Sequence, residues 1–174
     1  MNTITTEQCW EYIRLPKRLY GPMEWRDKPS NSAYRQCILQ PVFDREDVAQ
    51  QGLEVRLQYR IPQLIDACKE SYTLFLWMGH LHRIFQIEVV PHEEKASRQH
   101  GKHVYGPHYH VNDHDVVDNI DNIASTTKLN VKPESLACGE PEKCFRAFLD
   151  LCNIELDSEF EYVHPMTNRP VDLF

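Results

Sequence analysis

The sequence predicts a single α+β domain built on a mainly antiparallel sheet of about five strands with flanking helices, and three observations predict it. Residues 53–60, LEVRLQYR, alternate apolar and polar without error, as a half-buried strand does. Three further strand-like runs follow before residue 112, linked by short polar or glycine-containing segments that suit hairpins. The stretch 141–154, PEKCFRAFLDLCNI, then carries an apolar stripe at helical spacing behind a proline that opens it. The organisation expected is an N-terminal helix and loop over 1–34, a sheet over 35–112, and helices and tail over 113–174.

Taken in order, Thr5 and Gln8 have the spacing of a capping box, and Cys9, Trp10 and Ile13 fall on one face of the helix it would start. Residues 16–34 hold three prolines and read as loop with one edge strand. Arg14, Lys17 and Arg18 read as a solvated helix end. A strand is expected over 35–43 and another over 53–60, with Leu53, Val55, Leu57 and Tyr59 inward and Glu54, Arg56, Gln58 and Arg60 outward. Pro62 suits the first position of a short helix that buries Leu64, Ile65 and Cys68. Strands are expected at 72–77 and 82–90, the second turning Phe85, Ile87 and Val89 to one face and Ile84, Gln86, Glu88 and Val90 to the other. A loop is expected from His92 to Lys102 and a fifth strand at 104–111. The spacing of Val116, Val117, Ile120 and Ile123 predicts a short acidic helix, with Asp113, Asp115, Asp118 and Asp121 capping and solvating it. An extended piece is expected at Leu129 to Val131, and Leu173 and Phe174 dock the tail.

Composition narrows the function. The 174 residues are 41% hydrophobic, enough for one core, and the formal charge of -7 disfavours general binding to nucleic acid while leaving room for a local basic patch. The apolar runs break within about ten residues, against the roughly 20 a spanning helix needs, so no membrane segment is expected. The N-terminus has no signal-peptide pattern, so a cytoplasmic protein is expected. The six cysteines lack Cys-x-x-Cys spacing and read as reduced, mostly buried thiols, Cys144 and Cys152 among the core. There is no glycine-rich phosphate loop and no G-x-S-x-G elbow.

The chemistry is concentrated in one region. Eight of the nine histidines lie between positions 80 and 114. In a strand, residues two apart point the same way, so His108 and His110 share a face. If 82–90 pairs antiparallel with 104–111, then His82, Glu88 or His92 approaches that pair. Three such donors and a water make an open catalytic zinc site. The metal ligands expected are His92, His108 and His110, for zinc or manganese. Catalytic roles fall to His108 and His110 as the central pair, Glu88 as general base, and Arg83 or Lys102 as the holder of an anion. The same residues permit metal-free acid–base catalysis on a phosphodiester, a pH switch, or a merely polar surface.

Two resemblances bear on this region. Gly101, His108 and His110 resemble the first motif of the cupins, and His164 and Asn168 have the spacing of the second. The gap after the glycine is one residue longer here, and the glutamate position falls on His114 or Asp115. Separately, IEVVPH (87–92), GPHYHV (106–111) and FLDLCNI (148–154) resemble an uncharacterised bacterial family, often phage- or mobile-element-associated. That resemblance implies that His92, His108 and His110 belong together, and implies no activity. The expected function is hydrolysis of a phosphodiester, with a nucleotide or RNA as substrate. The alternative is a non-enzymatic regulator of a phage or defence system that docks a partner protein through Tyr105 and Tyr109.

Overall fold

A computed structural model describes residues 3–62, 68–99, 102–112, 115–117 and 135–167, the side chains of 96–99, 102, 103 and 115–117 excepted. Helix α1 spans Thr6–Arg14, and Thr5 and Gln8 form the expected reciprocal cap. The strands are β1 (Lys17–Leu19), β2 (Arg26–Asp27), β3 (Tyr34–Leu39), β4 (Val42–Phe43), β5 (Ala49–Gln50), β6 (Leu53–Arg60), β7 (Glu70–Trp77), β8 (Leu81–Val89), β9 (Lys95–Gln99), β10 (Lys102–Tyr105), β11 (His108–Val111) and β12 (Asp115–Val117). Helix α2 (Pro141–Leu151) and strand β13 (Ile154–Leu156) complete the described elements. Seven strands form one antiparallel sheet in the order β12-β11-β8-β7-β6-β3-β2. A smaller sheet, β13-β1-β4-β5, contains the parallel pair β1 and β13, and β9 with β10 makes a separate hairpin. This is the α+β fold the sequence predicts.

One face of the large sheet is the core. Leu53, Val55 and Leu57 on β6, Tyr72 and Leu74 on β7, and Phe85, Ile87 and Val89 on β8 are all buried there with Tyr109 and Val111 of β11. Helix α2 lies over it: the Phe148 ring meets Tyr72 at 6.5 Å and Phe85 at 6.3 Å between centroids. Helix α1 packs on β8 and β11. The opposite face carries the alternate residues, Glu54, Arg56 and Gln58, Ser71 and Thr73, Gln86 and Glu88, and His108 and His110, in that strand order.

The structure corrects several readings. The expected strand 35–43 breaks at Gln40-Pro41, since proline has no N–H for the ladder, and Val42–Phe43 pairs in the smaller sheet instead. The strand 104–111 divides at Gly106, whose φ of 70° leaves the extended region, and the loop from His92 to Lys102 is largely the β9–β10 hairpin. Residues 115–117 form an edge strand on β11 rather than the start of a helix, because ladder bonds to Tyr109, His110 and Val111 outweigh a weak helical spacing. In β8, Ile84 is the extra residue of a bulge opposite Leu74 and Phe75, which turns it into the core rather than onto the polar face. Helix α2 ends before Asn153, whose φ is 53°. Cys9, Cys37, Cys144 and Cys152 are free and buried, but Cys68 and Cys138 form a disulfide across 70 residues of sequence, a pairing that spacing does not reveal. Leu64, Ile65, Ile120, Ile123, Leu129 to Val131, Leu173 and Phe174, for which the sequence makes expectations, lie outside the described residues. Among the described residues, no helix is long and apolar enough to cross a membrane.

Lys17 is the clearest reversal. Expected in a solvated patch, it is 2% exposed, and its ammonium donates to the carbonyls of Tyr12, Ile13 and Leu15, the last carbonyls of α1. Burial lowers its pKa to about 8. Lys17→Met is expected to cost about 2–3 kcal/mol, since buried carbonyls lose their donor. Between about pH 8 and the unfolded value near 10.5, the unfolded chain binds more protons at this site, so wild-type stability gains with rising pH; urea unfolding of the variant should lack that gain.

On the core face, Glu70 is 1% exposed, and the Tyr72 hydroxyl lies 2.7 Å from its carboxyl and 3.1 Å from the Pro141 carbonyl. One hydroxyl proton cannot serve both acceptors, so both contacts are satisfied when Glu70 carries a proton and donates to Tyr72. Burial raises the Glu70 pKa against the hydrogen bonds from Tyr72 and Gly139. The folded state therefore holds this proton more tightly, and stability falls as pH rises from the unfolded carboxyl value through the folded one. Glu70→Gln is expected to remove that fall and to gain on the order of 1 kcal/mol at pH 7, read by urea midpoints at pH 5 and 7.

Candidate metal centre

Strand pairing builds the site. His108 sits directly across from Glu88, and His110 across from Gln86, so the even positions of β11 and β8 meet on the polar face. His108 Nε2 and His110 Nε2 are 3.0 Å apart, and Glu88 Oε2 is 3.3 Å from the His110 nitrogen and 3.5 Å from that of His108. A tetrahedral metal with bonds of about 2.0–2.1 Å has ligand-to-ligand edges of about 3.3 Å. The triangle therefore has the dimensions of one face of such a tetrahedron.

The surrounding groups orient the donors. His108 Nδ1 lies 2.8 Å from the Gly106 carbonyl, so Nδ1 carries the proton and Nε2 presents its lone pair inward. Gly106 is held to glycine by its positive φ, and a Cβ there would come within 3.1 Å of the His92 backbone. Lys69 donates to Glu88 Oε1 at 2.6 Å, leaving Oε2 for the triangle. Burial opposes the charge on Glu88, but its contacts with the His108 and His110 imidazoles and with the Lys69 ammonium outweigh it and hold the carboxyl well below its usual range. His110 is lowered, chiefly by burial, with the nearby Arg83 and His108 adding to the effect against the hydrogen bond to Glu88, which favours the neutral imidazole that a metal needs. His110 Nδ1 is buried without a hydrogen-bond partner among the described residues.

Of the sequence-predicted residues, the fold brings His108, His110 and Glu88 together, and among the described residues they are the group able to hold a metal ion. Glu88 stands in the donor triangle itself, rather than behind it as a base. His92 is exposed and packs beside Gly106, outside the triangle. Arg83 lies near His110, its guanidinium donating to Gln86 and to the Asn112 carbonyl. Lys102 is in β10, but its side chain, like that of His103, is not described, and His100 and His114 lie outside the described residues. His82 stacks on His80 at the far end of β8. Tyr105 is exposed as expected, whereas Tyr109 is fully buried against Phe85. The residue missed was Lys69, whose position next to a structural cysteine carries no signal of a role at Glu88.

Chemically, three nitrogen and oxygen donors suit zinc, and manganese less well because imidazole is a softer ligand than carboxylate or water. Comparison of the chain with family models, with curated proteins and with solved structures finds no match.

Proposed function

We propose that this protein is a metal-dependent hydrolase of phosphodiesters, with His108, His110 and Glu88 as ligands. The observation that carries the reading is the triangle of 3.0, 3.3 and 3.5 Å, in which three lone-pair-bearing atoms converge around a single point. A zinc ion held by these three residues would supply a water that ionises near pH 7. Hydrolysis then forms a bond from the water oxygen to phosphorus and breaks the bond to the ester oxygen, which leaves with a proton. Arg83, beside His110, is the described cation best placed to hold the anionic ester. Lys69 acts on Glu88, fixing which oxygen faces the metal. Glu88, held ionised, is too weak a base to deprotonate an unactivated water, so its role here is to hold the ion that would activate one. Partner docking is the second reading, favoured by Tyr105 at 57% exposure.

The test measures metal content of untagged protein purified without chelators, together with turnover of bis(p-nitrophenyl) phosphate with added zinc or manganese. The expected result is near-stoichiometric metal and a metal-dependent turnover that His110→Ala abolishes. Protein that neither retains nor takes up a divalent ion, or turnover that survives His110→Ala unchanged, would sink the reading.

A further inference from the structure

The polar face of the large sheet holds more than the metal centre. Following the register from β11 toward β3, one face holds the donor triangle, then the buried Ser71 and Thr73 and the more open Phe75 and Trp77 along β7, and the buried Glu54 with the half-buried Arg56 and Gln58 on β6. Trp77 is 58% exposed, and Ile38, across from Arg56, is 39% exposed. The Arg56 guanidinium lies 5.4 Å over the Phe75 ring, and the Lys28 ammonium donates to Gln58 and sits 5.7 Å from the Tyr34 ring. Charge is segregated here as well. On a chain of net charge -7, this face bears Lys28, Arg56, Arg60, Lys69 and Arg83 against Glu54 and Glu88, each bridged by a cation at 2.6 Å, and Glu94, which lies near Lys69.

We infer that this face is a track for single-stranded nucleic acid, with Trp77 as the stacking platform, Arg56, over Phe75, and Arg83 along the backbone, and the His108–His110–Glu88 centre at its end. The inference rests on the phosphodiester reading and names its substrate class. Aromatic rings on a cationic surface hold unpaired bases, which offer π-faces that a duplex keeps covered. Side chains two apart on a strand stand about 6.8 Å apart, comparable to the spacing of phosphates in an extended single strand. Ser71, which pairs with Glu88, and Trp77 are six residues apart on β7, or about 20 Å, room for a few nucleotides. The excess positive charge selects a polyanion over an apolar peptide, and an aromatic platform selects unpaired bases over a duplex.

The experiment is fluorescence anisotropy of a labelled oligouridine octamer, and of a duplex of similar length, with wild type, Trp77→Ala and Arg56→Gln, first in EDTA and then with zinc while cleavage is followed. Binding in EDTA that favours the single strand and weakens about tenfold in Trp77→Ala, with Arg56→Gln reducing both affinity and its salt dependence, is the expected result. Equal affinity for duplex and single strand, affinity indifferent to Trp77→Ala, or no binding at low salt overturns the track. If single-strand binding is as expected but no ester is cleaved with zinc, the hydrolase reading falls and the track stands. If bis(p-nitrophenyl) phosphate is cleaved and the octamer is not bound, the track alone falls. Trp77 is a surface residue, so its variant should fold, and unchanged circular dichroism with an unchanged melting temperature checks this.

Discussion

Reducing the Cys68–Cys138 disulfide lowers the unfolding free energy by about 4 kcal/mol and the melting temperature by about 10 °C. The bridge closes a loop of 70 residues, and the denatured chain gains the entropy of that loop when it opens. It also ties the start of β7 to the approach to α2, two elements that share the core through Tyr72 and Phe148. Cys68 immediately precedes Lys69 and Glu70, so the same cross-link anchors the segment that orients Glu88 and buries Glu70. Urea unfolding with and without dithiothreitol, repeated on Cys138→Ser, measures the effect. An unchanged midpoint in reductant would show that the two thiols are not bridged in solution; a shift seen in dithiothreitol and reproduced by Cys138→Ser assigns it to this pair.

The second large effect is on metal binding. Zinc at a hundred times its dissociation constant should raise the stability of the wild type by about 2.7 kcal/mol, and His108→Ala or His110→Ala should abolish that gain. Each substitution removes one of three donors, and the remaining imidazole and carboxylate cannot close the triangle of 3.0 to 3.5 Å. Lys69→Met leaves all three donors in place but releases Glu88 Oε1, so metal affinity should fall about 10- to 100-fold rather than vanish. The graded outcome separates a metal centre from a buried hydrogen-bonded cluster, in which zinc would shift no variant and no wild type. Calorimetric titration of metal-free protein reads both effects directly, with the stability of each metal-free variant measured alongside as a control for lost packing.

The candidate site was half legible. The H-x-H pair on one strand follows from period-two geometry alone, and the antiparallel neighbour was legible from the two runs and the turns around them. The third donor was not fixed by pattern, because choosing between His82, Glu88 and His92 requires the register. A shift of one residue would have turned Ile87 toward the histidines. The bulge at Ile84 settled it further by sending His82 and Ile84 to the core side while leaving Gln86 and Glu88 on the polar side. Lys17 and Lys69 were illegible for a related reason. A lysine surrounded by polar sequence reads as solvated, and only the packing of α1 and of β7 puts three carbonyls around one ammonium and Glu88 beside the other.

Local information therefore carried the secondary structure wherever side-chain period was strong. The capping box of α1, the alternation of β6 and the stripe of α2 each satisfy their backbone within a few residues, and each appears where its pattern places it. Weakly patterned segments followed their neighbours instead: Val116 and Val117 joined a strand edge, and the chain around Gly106 divided to make a hairpin and the strand that carries His108 and His110. The Cys68–Cys138 bridge, the third candidate donor and the cationic aromatic face arise from groups far apart in the chain. Their proximity is set by sheet register and helix docking, which depend on summed packing over the whole core and leave no mark on any short stretch of sequence.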